Sequence, residues 1–435
     1  MSLCSLRICS SIQFCRQSLI TSSSRELYKL TKNIRHISTI VESRTTVFRG
    51  LSNDIVIAQV RNLHISSVNR MAQISEEKIG LVPIEETRRF MTDCFLKSKC
   101  SPENAKAMAD LLAEADYRGH FSHGMNRLEM YINDLHKNST DGNVIPEVLK
   151  ESPATAWVDG KNGLGAVVGN FCMDLAIKKA KEVGVGVVTA RRSNHYGIAG
   201  WYTMRAMHEG LIGMSGTNTS PLMTPTRSME AGLGTNPLSF AAPADNGDSF
   251  VLDMATTAVA VGKIEIQRRK GEPIPHGWAH DSKGNLTTDA SVAFESACLA
   301  PLGGSEITSG YKGYGLGAMI EVLCGILSGS LFSNKVRKWT HFGSDAEADL
   351  GQFFIAIDPS CFAPGFTGRL SEMNDILRNL TPVDPEKPVL LAGDPEKNHM
   401  KKVDSDGGVR YTPNQIQTCT NLSQRLDVSP IKFIN

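Results

Sequence analysis

The spacing of apolar residues divides the chain into a helical part and a part rich in strands. From Val82 to about Leu135, apolar positions recur every three or four residues, which is typical of helices packed on one face. Ser101-Pro102-Glu103 predicts a helix start, because serine caps free N–H groups, proline suits the first turn and the helix dipole favours glutamate. Gly119 and Gly124 then bound a short connection to a second helix.

Short apolar runs separated by glycine and polar turns follow, and they predict β-strands. The runs are TAWVDG, VGVGVV, LIGMSGT, PLSFAAP, FVLDMA and, farther along, QFFIAIDP. Helical spacing occupies the intervals Val167 to Val183 and Ile198 to Glu209. Residues 258–311 are rich in loop-forming residues, whereas Tyr314 to Leu327 is apolar enough to predict a buried helix. A charged segment precedes a last amphipathic helix.

The composition changes this picture mainly at the N-terminus. Residues 1 to about 72 are rich in serine and arginine, with Glu26, Glu42 and Asp54 as their acids. This composition predicts a mitochondrial targeting leader, and a disordered basic tail is the alternative. Initiation at Met71 would give a leaderless, cytosolic form. Over the whole chain, a net charge of +1 gives no electrostatic reason to expect nucleic acid or a membrane as partner.

Cysteine and histidine spacing gives little support for a metal site. The chain has ten cysteines without a CxxC pair, and those after the leader are predicted to be reduced and mostly buried thiols. His120 and His123 stand at HxxH spacing, but no carboxylate or cysteine ligand is obvious next to them and there is no HExxH pattern. We therefore predict no metal.

The stretch GLGAVVG, Gly163 to Gly169, resembles a dinucleotide-binding turn only superficially. Its spacing is GxGxxxG instead of GxGxxG, and the following strand leads to Arg191 and Arg192 instead of an acid for the ribose. Glycines that allow a turn and a close contact between helix and sheet explain the stretch better. The sequence therefore excludes a Rossmann fingerprint here.

Two other stretches carry groups suited to acid–base chemistry. SHGMNRLEMY, Ser122 to Tyr131, supplies an imidazole, a guanidinium and a phenol within three helical turns, and SNHYG places His195 after a predicted strand. Arginine binds a carboxylate through two parallel hydrogen bonds, and a nearby histidine can exchange a proton with the adjacent hydroxyl or carbonyl. Taken alone, the first stretch is better explained as a solvated turn, and the position of His195 is also common for a histidine without chemistry.

The order of the motifs is more specific than any one of them. SHGxxRxxxY, SNHYGxAGWY, GTNP, DMATT, PLGG…KGYG and LAGDPE, in this order, resemble the type 2 malate/L-lactate dehydrogenase family, whose relatives include ureidoglycolate dehydrogenases and diketogulonate reductases. The resemblance extends from about Ile79 to the C-terminus. In one departure, SEITSGY separates PLGG from KGYG, whereas many bacterial members run almost directly from one to the other.

The resemblance implies an α/β fold that is not a Rossmann fold. A helical lobe formed by residues 73–150 and completed by residues 400–435 is expected to pack on a nicotinamide cofactor-binding lobe, residues 151–399, with a mixed, largely antiparallel sheet. The assembly is expected to be a homodimer. In this family the expected reaction transfers a hydride between NAD(H), or NADP(H), and a small 2-hydroxy or 2-oxo acid such as malate or oxaloacetate.

The resemblance also implies roles for individual residues. His123 and His195 line the active site, and members of the family use one or the other as the acid–base residue. We expect His123 to be the acid–base residue and His195 to hydrogen-bond the same substrate oxygen or hold the carboxylate. A variant that lacks the base is expected to lose the pH-dependent limb near neutral pH. The positions that orient the substrate are Ser122, Arg127 and Tyr131. The positions that contact the cofactor are Thr219, Asp253, Met254, Ala255, Lys312, Gly393, Asp394 and Pro395.

Two alternatives stay open at this point. The first is reduction of another 2-oxo acid, a cyclic imine acid or a diketo sugar acid with NADPH. The second is a nicotinamide-binding structural protein that has lost catalysis, although both histidines, Arg127 and Tyr131 are present.

Overall fold

The computed structural model describes residues 80–338 and 346–434. The predicted leader, residues 1 to 72, lies outside the described residues. The helices are α1 (Ile84–Lys97), α2 (Pro102–Tyr117), α3 (Met125–His136), α4 (Gly165–Val183), α5 (Gly200–His208), α6 (Val261–Lys270), α7 (Ala290–Ser296), α8 (Gly310–Glu321), α9 (Phe366–Arg378), α10 (Asp394–Asp406) and α11 (Pro413–Leu426). A π-helical turn, Val322–Ile326, continues α8.

The central feature is a seven-stranded sheet in the order β2-β3-β4-β11-β5-β6-β7. Only β3 and β4 in this sheet are parallel, and the other neighbours are antiparallel. Its strands are β2 (Glu147–Glu151), β3 (Thr155–Asp159), β4 (Val185–Ser193), β5 (Ile212–Thr217), β6 (Leu238–Pro243), β7 (Ser249–Met254) and β11 (Leu350–Ile357). The predicted non-Rossmann, largely antiparallel α/β fold is confirmed.

Two smaller sheets complete the described strands. β1 (Leu81–Val82) pairs with β12 (Val409–Arg410), and so joins the first described residues to the C-terminal part. β8 (Ala279–His280), β9 (Leu286–Thr287) and β10 (Cys298–Leu299) form a three-stranded sheet in the order β10-β8-β9. No helix in residues 80–338 or 346–434 is long and apolar enough to cross a bilayer.

The described residues bury separate hydrophobic cores. One core joins α1, α2 and α3 with α11, through side chains such as Phe90, Leu112, Leu128 and Leu422. A second core lies between α4, α5 and the sheet, where Tyr202 packs on Tyr196 with ring centroids 4.7 Å apart. The helical residues near both ends of the described chain therefore share one core. The predicted domain boundaries at residues 72, 150 and 399 remain predictions.

The glycines of GLGAVVG serve close packing. A Cβ on Gly165, at the start of α4, would lie 2.2 Å from the carbonyl oxygen of His195, and a Cβ on Gly169 would lie 2.3 Å from the ring of Tyr202. Real Cβ atoms do not approach other atoms this closely, so both positions require glycine. The start of α4 thereby comes within contact of the backbone that carries His195.

The sequence predicted the main elements but missed several short ones. Ser101 caps α2 as expected, accepting a hydrogen bond of 3.3 Å from the backbone N–H of Asn104. The strand predicted to end on two arginines contains both of them and ends one residue later, at Ser193. The missed short elements are β1, β2, β8, β9, β10, β12 and α7, and the sequence also missed the longer helices α6, α9 and α10. In α6 only Ile264 is buried, and in α10 only Val403, so their apolar periodicity is too weak to identify them.

The predicted burial of Tyr314 to Leu327 is wrong for the described chain. The helix forms as α8 and its π-helical turn, but Met319, Val322, Ile326 and Leu327 expose about half of their surface. A segment that is apolar all round predicts burial on all sides, whereas α8 packs against the sheet on one side only. The cysteine prediction is confirmed among the described residues, since all seven are free and only Cys361 is exposed.

Candidate active site

Two histidines from separate parts of the fold meet at the site. His123 lies in the turn between α2 and α3, and His195 follows β4. Their rings are stacked, with centroids 5.6 Å apart and planes inclined by 17°. Both residues are half-buried. The structure therefore brings together the two histidines that the sequence singled out.

Tyr131 contacts His195 directly. Its hydroxyl lies 2.5 Å from Nδ1 of His195, and the backbone N–H of Gly197 donates to the same nitrogen at 3.4 Å. A backbone N–H cannot accept a hydrogen bond, so Nδ1 is the unprotonated nitrogen and the tyrosine hydroxyl also donates to it. The proton of the neutral ring is therefore on Nε2. This atom is a hydrogen-bond donor.

The hydrogen bond to His123 does not fix the tautomer of its ring. Its Nδ1 lies 2.8 Å from the hydroxyl of Ser122. A serine hydroxyl either donates or accepts, so both neutral tautomers of His123 are compatible with this contact. Arg127, one turn into α3, donates from Nε to the carbonyl oxygen of Ser122 at 2.8 Å. Ser122, His123 and Arg127 thus form one connected turn.

The electrostatics of the site keep both imidazoles neutral. Burial, and then the Arg127 guanidinium, lower the pKa of His123 to about 3. Burial and the neighbouring His123 hold the pKa of His195 well below its ordinary value. Because a charged ring here would lie next to a cation and away from bulk water, the neutral form is favoured. Burial also raises the pKa of the Tyr131 hydroxyl, which therefore stays protonated at neutral pH.

The backbone that carries His195 is held by polar contacts that the sequence did not reveal. The side chain of Asn194 donates to the side-chain oxygen of Asn162 at 3.0 Å and to the carbonyl of Gly163 at 2.9 Å. Gln352, in β11, donates to the carbonyl oxygen of Asn194 at 3.0 Å. Asn162 and Gln352 carry no motif, so only their position in the fold shows this function.

The predicted cofactor residues lie along the ends of neighbouring elements. Thr219 follows β5, Asp253 and Met254 end β7, and Lys312 is in the first turn of α8. Backbone hydrogen bonds join these segments, from Thr256 to Thr235 at 2.9 Å and from Leu302 to Thr256 at 2.9 Å. Ala255 directly follows β7. Hydrogen bonds therefore connect the segments that carry these positions. We call these connected segments the rim.

A buried carboxylate that the sequence did not identify supports this rim. Glu321 in α8 accepts from the side chain of Asn218 at 3.0 Å and from that of Asn236 at 2.6 Å. Asn236, in the GTNP turn, also accepts from the backbone N–H of Thr219 at 3.2 Å. The two turns near the cofactor positions are thus bound to one carboxylate.

Other predicted cofactor residues have partners within the chain. The Asp253 carboxylate accepts a hydrogen bond of 2.7 Å from the backbone N–H of Gly200 at the start of α5, and burial raises its pKa. Asp394 forms an ion pair of 2.8 Å with Arg378. Gly393 caps the start of α10 with a positive φ of 98°, and Pro395 is in its first turn. Their contact with a cofactor remains a prediction.

Helix α10 holds the turn that carries His123. Glu396 lies 3.6 Å from the Nε2 atom of His120, and the ring of His399 packs edge-on against Phe121 at 5.4 Å. The hydroxyl of Tyr117 lies 2.9 Å from the carboxylate of Asp404. LAGDPE therefore begins a helix that packs on the α2–α3 turn. Among residues 80–338 and 346–434, no three His, Cys, Asp or Glu side chains gather as a metal would require.

A cavity of about 290 Å³ lies at the start of α8, and its walls are formed by Leu302, Gly303, Thr308, Ser309, Lys312, Gly313 and Leu316. The surface that faces this cavity is mostly apolar, which suits a flat ring such as those of a nicotinamide cofactor. Of the predicted cofactor residues, Lys312 lies in this wall, and its contact with a cofactor remains a prediction.

Arg191 and Arg192 do not point to a phosphate site. Arg192 pairs with Glu347 at 3.1 Å and with Asp159 at 3.6 Å. The guanidinium of Arg191 lies 5.9 Å from the ring centroid of Trp157 and 4.0 Å from Asp159. Both side chains are therefore engaged by acids or an aromatic ring of the same chain.

The fold and the site define a class of protein. Two neutral imidazoles beside an arginine, on an α/β fold without a Rossmann fingerprint, suit a dehydrogenase that acts on small hydroxy acids.

Comparisons with known proteins give the family. The model of the malate/L-lactate dehydrogenase family matches residues 82–419. Malate dehydrogenase of Pyrococcus abyssi is 43% identical over 307 residues, 70% of this chain and 83% of that protein. L-sulfolactate dehydrogenase of Methanocaldococcus jannaschii is 39% identical over 340 residues, 78% of this chain and 95% of that protein. The crystal structure of malate dehydrogenase from Entamoeba histolytica superimposes with a TM-score of 0.76 at 33% identity, covering 80% of this chain and 98% of that one.

The chain therefore belongs to the malate/L-lactate dehydrogenase family. The prediction of an enzyme that oxidises or reduces small hydroxy or oxo acids with a nicotinamide cofactor is confirmed at this level. The roles of individual site residues remain predictions.

The imidazole pKa values give a test in the free protein. With isotope-labelled histidine, we expect the ring resonances of His123 and His195 to stay nearly constant from about pH 8 to pH 5, a range in which an ordinary imidazole titrates. The unfolded chain takes up these protons from about pH 6.5 downward, so acidification below this value lowers the free energy of unfolding. His123→Asn and His195→Asn assign the signals. A midpoint near 6.5 for either ring would contradict the structure.

Proposed function

We propose that this protein transfers a hydride between NAD(H) and a small 2-hydroxy or 2-oxo acid, with malate and oxaloacetate as the principal pair. The observation that carries the proposal is the asymmetry of the stacked histidines. Tyr131 and Gly197 fix His195 as a donor through Nε2, whereas the Ser122 hydroxyl leaves His123 free to take up and release a proton. Oxidation of an alcohol by hydride transfer needs a base for the hydroxyl proton, and a donor to the same oxygen stabilises the charge that develops there.

The asymmetry supports the following roles in oxidation. Arg127 binds the substrate carboxylate and thereby fixes the orientation of the neighbouring C–H bond. His123 accepts the hydroxyl proton at Nε2, while its Nδ1–H donates to Ser122. The Nε2–H group of His195 donates to the same substrate oxygen and stabilises the negative charge that develops there. The nicotinamide ring, when bound, supplies the hydride acceptor.

The low pKa of His123 changes one expectation from the sequence. A general base must be neutral, so oxidation persists as the pH falls until His123 is protonated. In the free protein this occurs far below neutral pH, because burial and Arg127 oppose the charge. The acidic limb of kcat/KM is therefore expected well below pH 6.5, and not near neutral pH as the sequence alone indicated.

The names of two relatives support malate, and the contacts of two arginines support NAD. The relative from Pyrococcus abyssi, 43% identical, is a malate dehydrogenase, and the superimposed structure from Entamoeba histolytica is one as well. Arg191 and Arg192 stand where an acid for the ribose was expected and could bind the 2′-phosphate of NADP, but both are engaged by groups of the same chain. The 39% identical L-sulfolactate dehydrogenase keeps another small acid as the second candidate substrate.

A substrate panel tests the proposed reaction. We expect the full-length protein to consume NADH rapidly with oxaloacetate, and more slowly or not at all with pyruvate, 2-oxoglutarate, 3-sulfopyruvate and a cyclic imine acid. Absorbance at 340 nm gives the rate, and each acid is also tested with NADPH. A preference for another acid would replace malate and keep the mechanism. Binding of NADH without turnover of any acid would favour the catalytically inactive alternative.

Histidine variants test the two roles. His123→Asn is expected to lower kcat by about 10²–10⁴-fold and to abolish the acidic limb, since the titrating base is gone. His195→Asn is expected to lower kcat as well but to retain that limb. His208→Asn, at an exposed position of α5, is the control. Retention of the acidic limb in the His123 variant would show that the assignment is reversed.

We also propose that the protein is a homodimer and that the exposed side of α8 lies in the interface. Apolar side chains at positions 319, 322, 326 and 327 recur at helical spacing, and soluble monomers seldom expose such a continuous row. Val322 and Ile326 are 54% and 50% exposed. Burial of this row against a second copy would remove apolar surface from water.

Two charged substitutions in this apolar row test the proposed dimer interface. The wild-type protein is expected to have twice the chain mass in light scattering coupled to gel filtration. The double variant Val322→Glu/Ile326→Glu is expected to be monomeric at micromolar concentration, because each charge would have to be buried. Val383→Glu, at an equally apolar and fully exposed site, is the control. A wild-type monomer, or a dimer that tolerates both charges, would contradict the proposal.

For localisation, we propose that residues 1–72 direct the protein to the mitochondrial matrix and that initiation at Met71 yields a cytosolic form. The support is the serine- and arginine-rich composition of these residues.

A further inference from the structure

Asp116 is a buried carboxylate that the proposed reaction does not use. It lies near the end of α2 and has no exposed surface. Its Oδ2 atom accepts a hydrogen bond of 2.8 Å from the backbone N–H of Met125 and another of 2.8 Å from the hydroxyl of Tyr411. Its Oδ1 atom has no hydrogen-bond partner among the described residues. Burial of such a group costs free energy, so a function of the carboxylate has to outweigh this cost.

The first contact replaces a missing helix cap. Met125 is the first residue of α3, and the N-cap residue before it, Gly124, has no side chain to bind the free N–H groups. The Asp116 carboxylate takes this place although it lies nine positions earlier in the chain. A negative group at a helix N-terminus is also favoured by the helix dipole. Asp116 therefore fixes where α3 begins.

The second observation is the fit of Gly124 against Asp116. A Cβ at position 124 would lie 2.0 Å from Oδ1, so any other residue would displace the carboxylate. The backbone of the turn consequently passes directly over Asp116. The same turn accepts a hydrogen bond of 2.9 Å from the backbone N–H of Arg127 to the carbonyl of Gly124. The segment from Ser122 to Arg127 is thereby held at its midpoint.

The third contact links this turn to the C-terminal part of the chain. Tyr411 lies between β12 and α11, and its backbone N–H donates to the carbonyl of Gly80 at 2.8 Å. Its buried hydroxyl, which binds Asp116, also lies 3.4 Å from the hydroxyl of Thr87 in α1. Asp116 thus receives support from a segment distant in sequence.

We propose that Asp116 is a positioning residue that holds the Ser122–His123 turn and the start of α3 in the arrangement that catalysis requires. It contacts neither reacting atoms nor the two histidines. It acts through Gly124 and Met125, and Tyr411 in turn orients its carboxylate. This inference rests on the proposed function only for its kinetic consequences, because the position of the turn is a property of the free protein.

The burial of Asp116 disfavours the charged form of its carboxyl group. Burial raises the pKa of Asp116 to about 7, although the hydrogen bonds from Met125 and Tyr411 oppose the shift. Both bonds need only an acceptor oxygen, which the side-chain oxygen of asparagine also supplies. The geometry, and not the charge, is therefore the property to test.

Asp116→Ala, Asp116→Asn and Tyr411→Phe are compared in the full-length protein with Asp110→Asn as the control. Asp110 is on the same helix, where it pairs with Lys106 at 2.5 Å and Arg88 at 3.5 Å. Hydrogen–deuterium exchange of the peptide covering residues 118–128, NADH affinity from fluorescence, and kcat and KM with oxaloacetate are measured for each variant.

In Asp116→Ala, we expect the peptide to exchange at least about fivefold faster because the cap is lost. We expect kcat/KM to fall on the order of 10²-fold, as for a misplaced catalytic group, while NADH affinity stays within about twofold. Asp116→Asn is expected to recover most of both losses, and Tyr411→Phe to show a smaller version of both. Asp110→Asn is expected to match the wild type.

Wild-type exchange and kcat/KM in Asp116→Ala would overturn the inference. If Asp116→Ala does not fold, the other variants decide. The inference would then be overturned if Asp116→Asn and Tyr411→Phe both match Asp110→Asn in peptide exchange, NADH affinity and kinetic constants. A wild-type protein without turnover refutes the proposed function instead, and the exchange rates then decide the role of Asp116 by themselves.

Discussion

The site depends on the stacking of two neutral imidazoles that come from different parts of the fold. His123 arrives on a turn between two helices, and His195 follows a strand of the sheet, yet their rings lie 5.6 Å apart. Because burial and Arg127 disfavour charge on either ring, the pair is kept neutral by its surroundings. The neighbouring residues hold the backbones of His123 and His195 close together and also form hydrogen bonds with the polar groups of these backbones.

Glycines and buried polar side chains share that task. Gly165 lets α4 touch the carbonyl of His195, while Asn194 and Gln352 hold the backbone from the other sides. Asp116 and Gly124 do the same for the turn of His123. In both cases a position without a Cβ lies against a polar group, which is the His195 carbonyl for Gly165 and the Asp116 carboxylate for Gly124. Close packing and hydrogen-bond satisfaction are therefore achieved together, because a larger side chain would break both.

The surroundings of the two histidines also differ in a way that matters for chemistry. A backbone N–H dictates one tautomer of His195, whereas a hydroxyl permits either tautomer of His123. The fold thereby distinguishes two residues that the sequence alone left almost equivalent. The fold also adds a function to LAGDPE. The sequence associated this motif with the cofactor, and in the structure it begins a helix that packs on the turn of His123.

The sequence by itself determined the elements with strong periodicity, the order of the motifs, the absence of a Rossmann fingerprint and the residues that meet at the site. Local chemistry fixes these features, as with Ser101 capping α2 or the apolar run of β11. Only the tertiary structure decided the tautomers, the lowered pKa values, the supporting roles of Gln352, Glu321 and Asp116, and the exposed side of α8. These depend on groups distant in the chain, and a single sequence does not encode their distances in any local pattern.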